Sequence, residues 1–141
     1  MDTLYHFYNF IQIRGNTSWK LLNGCIIQQK IVDIIECNHY PNVGPSKFLA
    51  EDVYFRKCDN DHLYYWLHPK IFPYVKNMYI DCDCEPIVYK RFENENVNIY
   101  ITTDKKYNHI KMMTKEDMNK SLIVSLNHNY LKADKIKSII E

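Results

Sequence analysis

Six short stretches of the chain repeat one pattern of apolar and polar positions. In each, two apolar residues are separated by one residue, and a polar residue or a cysteine follows three positions after the second. The stretches begin at residues 11, 32, 53, 78, 99 and 124, at intervals of 21, 21, 25, 21 and 25 residues. Alternation of this kind is typical of a half-buried β-strand. The six sets are Ile11/Ile13/Asn16, Val32/Ile34/Cys37, Val53/Phe55/Cys58, Met78/Ile80/Asp83, Ile99/Ile101/Asp104 and Val124/Leu126/Asn129.

The segments around these sets give the predicted elements. Strands are predicted at 11–14, 30–37, 52–58, 75–81, 97–103 and 121–127, a loop at 41–46, a short helix or aromatic turn at 61–72, and a short helix at 86–93. Another helix is predicted over 104–118, and a last one over 130–141.

Three features refine the two C-terminal helices. Tyr107, Ile110 and Met113 share one helical face, as do Ala133, Ile136 and Ile140 further on. Thr114 and Asp117 resemble a capping box, which indicates that the helix breaks and restarts there.

Strands that alternate with helices predict an α/β fold with parallel strands and right-handed connections. No segment has the composition of a linker, so residues 1–141 are expected to form a single domain. The spacing of the six sets resembles the core of leucine-rich repeats, whose period is about 20–29 residues. The leucines that flank that core are mostly absent here. Two architectures therefore stay open, a leucine-rich-repeat-like solenoid and a compact open parallel sheet with helices.

Composition and charge exclude several classes of protein. Of the 141 residues, 46% are hydrophobic, which is too high for a disordered segment. The net charge is +1 and no long run of one sign occurs, which argues against a nucleic-acid partner. Neither a signal-peptide pattern nor an apolar run of membrane-spanning length is present, so we expect a cytoplasmic protein without a membrane partner. The five cysteines are irregularly spaced and favour reduced thiols.

Cysteine and histidine residues supply a candidate zinc site. In a parallel sheet the exits of neighbouring strands meet at one edge, where soft ligands from several strands could converge on Zn²⁺. Against this, C-x-C with scattered histidines is not a standard zinc knuckle, and buried thiols are common in protein cores. The candidate metal ligands are Cys37, His39, Cys58, His62, Cys82 and Cys84.

Carboxylates at the same edge supply an alternative acidic site. Asp81 and Asp83 follow a predicted buried strand, and Asp104 follows the next one. Carboxylates at the carboxyl ends of parallel strands can hold Mg²⁺ for phosphoryl or glycosyl transfer. An acidic helix start explains Asp83 equally well without any ligand. No further acidic pair follows residues 121–127, as the phosphatase pattern would require.

An aromatic-rich stretch, residues 62–75, offers a candidate partner-binding surface. Tyrosine and tryptophan are enriched in protein interfaces, although they also fill cores. The candidate residues are Tyr64, Tyr65, Trp66 and Tyr74.

The stretch WLHPKIFPYVKNMYIDCDCEPIVYKRFENENVNIYIT, residues 66–102, resembles an uncharacterised paralogous protein family of mimivirus-like amoebal giant viruses. The resemblance rests on FPYVKNMY, the Cys84-Glu85-Pro86 turn, the YKRF segment and VNIYI. It implies a viral protein made in the cytoplasm of the infected host, and it carries over no active site.

The leading interpretation is a non-enzymatic protein–protein interaction module without a cofactor. Its expected partner is a viral or host protein, with a homodimer through an open sheet edge as a further expectation. Packaging in the virion stays open. The alternative is a metal-dependent phosphoryl or glycosyl enzyme at Asp81 and Asp83, with Mg²⁺ or Zn²⁺ as the cofactor.

Overall fold

The computed structural model of the chain describes residues 3–15, 24–36, 47–82, 90–92, 96–102, 110–129 and 131–141. In this part of the chain a large sheet, a small sheet and three helices are formed. The strands are β1 (Thr3–His6), β2 (Phe10–Arg14), β3 (Ile26–Ile27), β4 (Ile31–Ile35), β5 (Lys47–Phe48), β6 (Asp52–Arg56), β7 (Asn77–Asp81), β8 (Asn98–Ile101) and β9 (Ile110–Met112), and the helices are α1 (Asn60–Trp66), α2 (Lys115–Asn127) and α3 (Ala133–Ile140).

Within the described residues, the large sheet has seven strands in the order β1-β2-β4-β6-β7-β8-β9. Among these strands β1 alone runs antiparallel to its neighbour, and the other adjacent pairs are parallel. β3 and β5 form the small sheet and are also parallel. The fold is therefore mixed α/β with one open sheet, which fits the second of the two predicted architectures.

The repeated apolar pattern sets the register of the parallel strands. Ile11, Val32, Val53, Met78 and Ile99 start five of the six sets, and they lie side by side across β2, β4, β6, β7 and β8. The residues that follow β2, β4 and β6 also match, because Gly15, Glu36 and Lys57 all adopt a left-handed backbone with φ of 80°, 55° and 53°. The first five predicted strands are thus confirmed.

Successive side chains along these strands point to opposite faces of the sheet, and those on one face form the main core. In the first five sets, the first apolar residue and its partner two positions later, such as Val53 and Phe55, are buried on this face. Ile27 and Phe48 of the small sheet, Leu63 and Trp66 of α1, and Phe72 cover it. Burial of each large apolar side chain contributes about 1.5–3 kcal/mol, so this core is the main source of stability.

The opposite face of the sheet packs against the C-terminal helices. Phe10, Ile31 and Tyr54 contact a buried stripe formed by Met118, Leu122 and Leu126 of α2 and Ile139 of α3. The three α2 residues are four positions apart and therefore lie on one side of the helix.

The sixth predicted strand, residues 121–127, is wrong, because these residues belong to α2. Leu122 and Leu126 are buried at helical spacing, whereas Val124, which the strand prediction places inside, is 57% exposed. The predicted helix start at Thr114 is confirmed, since its side-chain oxygen accepts a hydrogen bond from the Asp117 backbone N–H at 3.0 Å.

Two details of the neighbouring helix predictions also change. Residues 110–112 form β9, which pairs in parallel with β8, and are not helical as predicted. In α3 the fully buried residue is Ile139, while Ile136 and Ile140 are partly buried and Ala133 is exposed. Tyr107, the loop at 41–46, most of the helix at 86–93, and the polar ends of four sets, Asn16, Cys37, Asp83 and Asp104, lie outside the described residues.

None of the helices in the described ranges is both long enough and apolar enough to cross a membrane.

Candidate interaction surface

The short helix α1 presents two tyrosines at the surface because its other side enters the main core. The Asp59 carboxylate caps the helix by accepting a hydrogen bond from the Asp61 backbone N–H at 2.9 Å. Leu63, Trp66 and the following Leu67 are buried, at a spacing of three and four residues. The residues between them therefore point outward.

Tyr64 and Tyr65 occupy these outward positions. They are 39% and 51% exposed, and their rings meet edge to face with centroids 5.2 Å apart. Trp66 is only 3% exposed, so it belongs to the core and not to this surface. Tyr74 is 60% exposed in the segment that follows α1.

Arg91 completes the surface from a distant part of the chain. Its guanidinium carbon lies 4.3 Å from the centre of the Tyr64 ring, within the range of a cation–π interaction. Its Nη1 donates hydrogen bonds to the carbonyl oxygens of Tyr64 and Leu67, the second at 3.0 Å. The next residue, Phe92, is buried in the main core and anchors this segment.

These contacts fix the geometry of the surface. A helix leaves its last carbonyl groups without partners inside the helix, and a cation at that end is favourable. Arg91 satisfies such carbonyls at the end of α1 and holds its planar group over an exposed ring. We call the exposed Tyr64 and Tyr65 together with the partly buried Arg91 the tyrosine–arginine surface.

Two cations, Arg91 and Lys70, act on His68, which follows α1 in the chain. Burial, followed by the charges of Arg91 and Lys70, lowers the pKa of His68 below its ordinary value of 6.5. His68 Nδ1 also accepts a hydrogen bond from the Lys70 backbone N–H at 3.1 Å, which requires this nitrogen to be unprotonated.

Two of the candidate ligands, Cys58 and Cys82, lie next to each other just after β6 and β7 end. The Cys58 backbone N–H donates to Cys82 Sγ at 3.2 Å, and the Cys58 thiol donates to the carbonyls of Ile34 and Arg56 at 3.5 and 3.4 Å. Among the described residues, no group of three or more potential metal ligands comes together. The other candidate ligands Cys37, His39 and Cys84 lie outside those residues, while His62 on α1 lies 3.5 Å from the Asp59 carboxylate.

Of the candidate acidic site, the structure describes Asp81. One carboxylate oxygen accepts a hydrogen bond from Thr102 Oγ1 at 2.8 Å, and the other lies 3.5 Å from Lys115 Nζ. Asp81 thus takes part in contacts between β7, β8 and α2. Asp83 and Asp104 lie outside the described residues.

Sequence reasoning missed Arg91, whose contact with α1 spans 27 residues along the chain. It also missed three buried polar residues of the strands, Gln12, Asp33 and Arg56. For Gln12 and Asp33 the sequence contains a detectable signal, a polar residue in the middle of an apolar strand, as in FIQIR and IVDII.

Comparison with known proteins places the chain among relatives whose activity is not established. A sequence model of DUF5845, a family of unknown function, matches residues 32–113. The chain belongs to this family. Uncharacterized protein R849 of Acanthamoeba polyphaga mimivirus is 28% identical to it over 87 residues, which cover 60% of this chain and 58% of the relative. The chain thus matches less than two thirds of the length of R849. No solved structure matches the chain.

The matched stretch runs from β4 to just past the end of β9, and Tyr64, Tyr65 and Arg91 of this chain lie within it. The similarity to a mimivirus protein supports the predicted membership of an uncharacterised giant-virus family.

Proposed function

We propose that this chain is a non-enzymatic protein–protein interaction module of a giant virus, and that it binds a viral or host protein through the tyrosine–arginine surface. The observation that carries the proposal is the stacking of Arg91 over the exposed ring of Tyr64 next to exposed Tyr65. Tyrosine and arginine are among the residues that contribute most to binding energy in protein interfaces.

Preorganisation supports this role. A long arginine side chain that is ordered only on binding loses conformational entropy at that moment, which weakens the complex. Arg91 is already held by the Tyr64 and Leu67 carbonyls, and the tyrosines stand on a capped helix. Binding therefore requires little further ordering of these side chains.

Charge indicates the chemistry of the partner. Arg91 and Lys70 make the end of α1 positive, and the tyrosine rings add apolar area beside them. A protein segment that combines carboxylates with an aromatic or aliphatic side chain would complement both properties.

The sheet supports a further proposal, that the repeated units form a leucine-rich-repeat-like solenoid. The parallel strands follow one another in chain order, and the turns that lead into them repeat a contact. The Lys30 carbonyl accepts from the N–H groups of Glu51 and Asp52, and the Glu51 carbonyl accepts from those of Lys76 and Asn77. Stacked repeats that contact only their neighbours produce this arrangement.

The binding proposal is tested with the full chain and single substitutions. A tagged chain captures partners from lysate of infected amoebae, and each captured protein is then produced and titrated against purified chain. Tyr65→Ala is expected to weaken binding by about tenfold or more, because it removes a large contact area from the surface. The matched control is Tyr8→Ala, since Tyr8 is 99% exposed and lies between β1 and β2, far along the chain from α1.

Equal affinity of Tyr65→Ala and Tyr8→Ala for every captured protein would overturn the proposed surface. Thermal melting of both variants provides the folding control, because the outward side chain of Tyr65 contributes little to the core.

A further inference from the structure

The face of the sheet opposite α1 carries a buried polar cluster formed by Gln12, Asp33 and Arg56. Their exposed fractions are 0%, 0% and 4%. Arg56 donates to both oxygens of Asp33, from Nε at 2.8 Å and from Nη2 at 2.6 Å. Gln12 Nε2 donates to the same carboxylate at 2.9 Å.

The end of α3 completes this cluster. The Ile139 carbonyl accepts from Gln12 Nε2 at 2.7 Å and from Arg56 Nη2 at 3.2 Å, and the Ile140 carbonyl accepts from Arg56 Nη1 at 2.8 Å. Carbonyls at the end of a helix lack intrahelical partners and carry the negative end of the helix dipole. The cluster is therefore a binding site for the carboxyl end of a helix, and α3 occupies it.

The apolar contacts of α2 and α3 with the sheet form a hydrophobic cluster separate from the main core, and Lys115 of α2 adds an ion pair with Asp81 of β7 at 3.5 Å. It contains Phe10, Ile31 and Tyr54 from the sheet and the buried stripe of the two helices. At its border the Tyr54 hydroxyl and Ser121 Oγ lie 2.7 Å apart, and Lys135 Nζ lies 4.2 Å from the centre of the Tyr5 ring.

Two observations distinguish this helical layer from the rest of the fold. The stretch shared with the DUF5845 family ends at residue 113, just before α2 begins at Lys115. In addition, Gln12 Oε1 is buried without a hydrogen-bond partner in the described structure, and such an orphaned acceptor opposes docking of the layer.

We propose that α2 and α3 form a separable cover, docked on the sheet through the Gln12–Asp33–Arg56 cluster, which opens as a unit while the sheet and the main core stay folded. Opening exposes Phe10, Ile31 and Tyr54 and frees the polar cluster for hydration. This inference does not depend on the tyrosine–arginine surface, because α1 packs against the opposite face of the sheet.

Native-state amide hydrogen exchange of the full chain, resolved by segment, tests the proposal. Amides of α2 and α3 are expected to exchange at least about tenfold faster than those of β4, β6 and β7, since a cover opens more often than the whole molecule unfolds. The apparent opening of the helices is also expected to depend less on urea, because it exposes less surface than global unfolding.

Two substitutions separate local opening from global unfolding. Ile80→Val removes a methylene from the main core and is expected to accelerate strand exchange by about fivefold while leaving helix exchange unchanged. Ile139→Val loosens the docked helix and is expected to accelerate helix exchange by a similar factor of about fivefold. If the helices and strands exchange at one rate and respond equally to Ile80→Val, the chain unfolds as one unit and the proposal is overturned.

Discussion

At the scale of single residues, the buried pair Asp33–Arg56 shows how a charge is kept inside the fold. Burial lowers the pKa of Arg56, but the hydrogen bonds and charge of Asp33 outweigh it and raise the pKa overall. Asp33 accepts bonds from Arg56 and Gln12, so neither charge is buried alone. The pair contributes to stability mainly when both members are present.

Removing one charge of this pair is expected to destabilise the fold strongly. Asp33→Asn leaves the Arg56 guanidinium buried without a counter-charge, which should lower the free energy of unfolding by about 3–5 kcal/mol. The control is Glu116→Gln, because Glu116 pairs with Lys120 at 3.5 Å on the exposed side of α2 and should cost less than about 1 kcal/mol. Urea unfolding measures both, and equal losses in the two variants would contradict the prediction.

His68 is expected to make stability depend on pH. Its folded-state pKa lies below the ordinary value of 6.5, so the unfolded chain takes up the proton more readily. Its contribution is fully present above the unfolded pKa, and it falls as the pH drops from there toward the folded pKa. His68→Gln should therefore reduce the difference in urea midpoint between about pH 8 and about pH 5. An unchanged difference would show that His68 does not contribute.

At the scale of elements, local signals account for the start of α2. Thr114 has the extended backbone of an N-cap and accepts from the Asp117 N–H, while Glu116 and Asp117 lie in the first turn near the positive end of the helix dipole. These residues favour a helix through Asn127, although residues 121–127 include two β-branched side chains.

Loss of the cap is expected to weaken α2 measurably. Thr114→Ala should lower the free energy of unfolding by about 1 kcal/mol, because one N–H of the first turn loses its acceptor. Thr114→Ser keeps the hydroxyl and should retain most of the stability in the same urea experiment. Equal stability of the wild type and Thr114→Ala would show that the cap contributes nothing.

A strand could be predicted from the sequence where the apolar positions of its segment matched both its buried face and the apolar positions of the neighbouring strands. The first five sets lie in register because each places its apolar pair in the same core. The sixth set has the same spacing, but Leu122 and Leu126 also fit a helix, and packing of that helix on Phe10 and Tyr54 decides the outcome. The apolar pattern of a short segment does not determine whether it packs as a strand, with a period of two, or as a helix, with a period of 3.6.

The site was predictable only in part for a similar reason. Tyr64, Tyr65 and Trp66 look alike in sequence, yet only the direction of the core shows that Trp66 points inward. Arg91 reaches Tyr64 through the fold and not through the local sequence. Contacts of this kind depend on tertiary placement, which no local pattern specifies.

At the scale of the whole molecule, rows of side chains cross the sheet and connect its strands. Tyr54, Tyr79 and Tyr100 stack with centroids 4.3 and 5.0 Å apart and nearly parallel rings. In the described part of the chain β1 and β9 are the outermost strands, and a homodimer of the predicted kind would use one of these edges.

A second row links four strands by hydrogen bonds that all point the same way. Lys111 Nζ donates to Asn98 Oδ1 at 3.3 Å, Asn98 Nδ2 to Asn77 Oδ1 at 3.1 Å, and Asn77 Nδ2 to Asp52 Oδ1 at 2.8 Å. The row thus runs from a cation on β9 to an anion on β6, and each amide both accepts and donates. This direction polarises the amides in one sense, which strengthens the inner bonds.

The position of a residue within this row is expected to determine the cost of removing it. Asn77→Ala breaks two bonds and leaves part-buried Asp52 without its amide donor, so the free energy of unfolding should fall by about 1–3 kcal/mol. Lys111→Ala removes one exposed bond at the end and a cation–π contact with Tyr100, whose ring centre lies 5.4 Å from Lys111 Nζ, and should cost less than about 1 kcal/mol. The Asn98→Ala variant already lacks the hydrogen bond to Asn77. Adding Asn77→Ala to that variant should therefore lower the free energy of unfolding by less than it does in the wild type, by about 0.5 kcal/mol or more. Urea unfolding of the two single asparagine variants and the double variant measures this coupling, and strictly additive losses would show that the strands are joined by their backbones and cores alone.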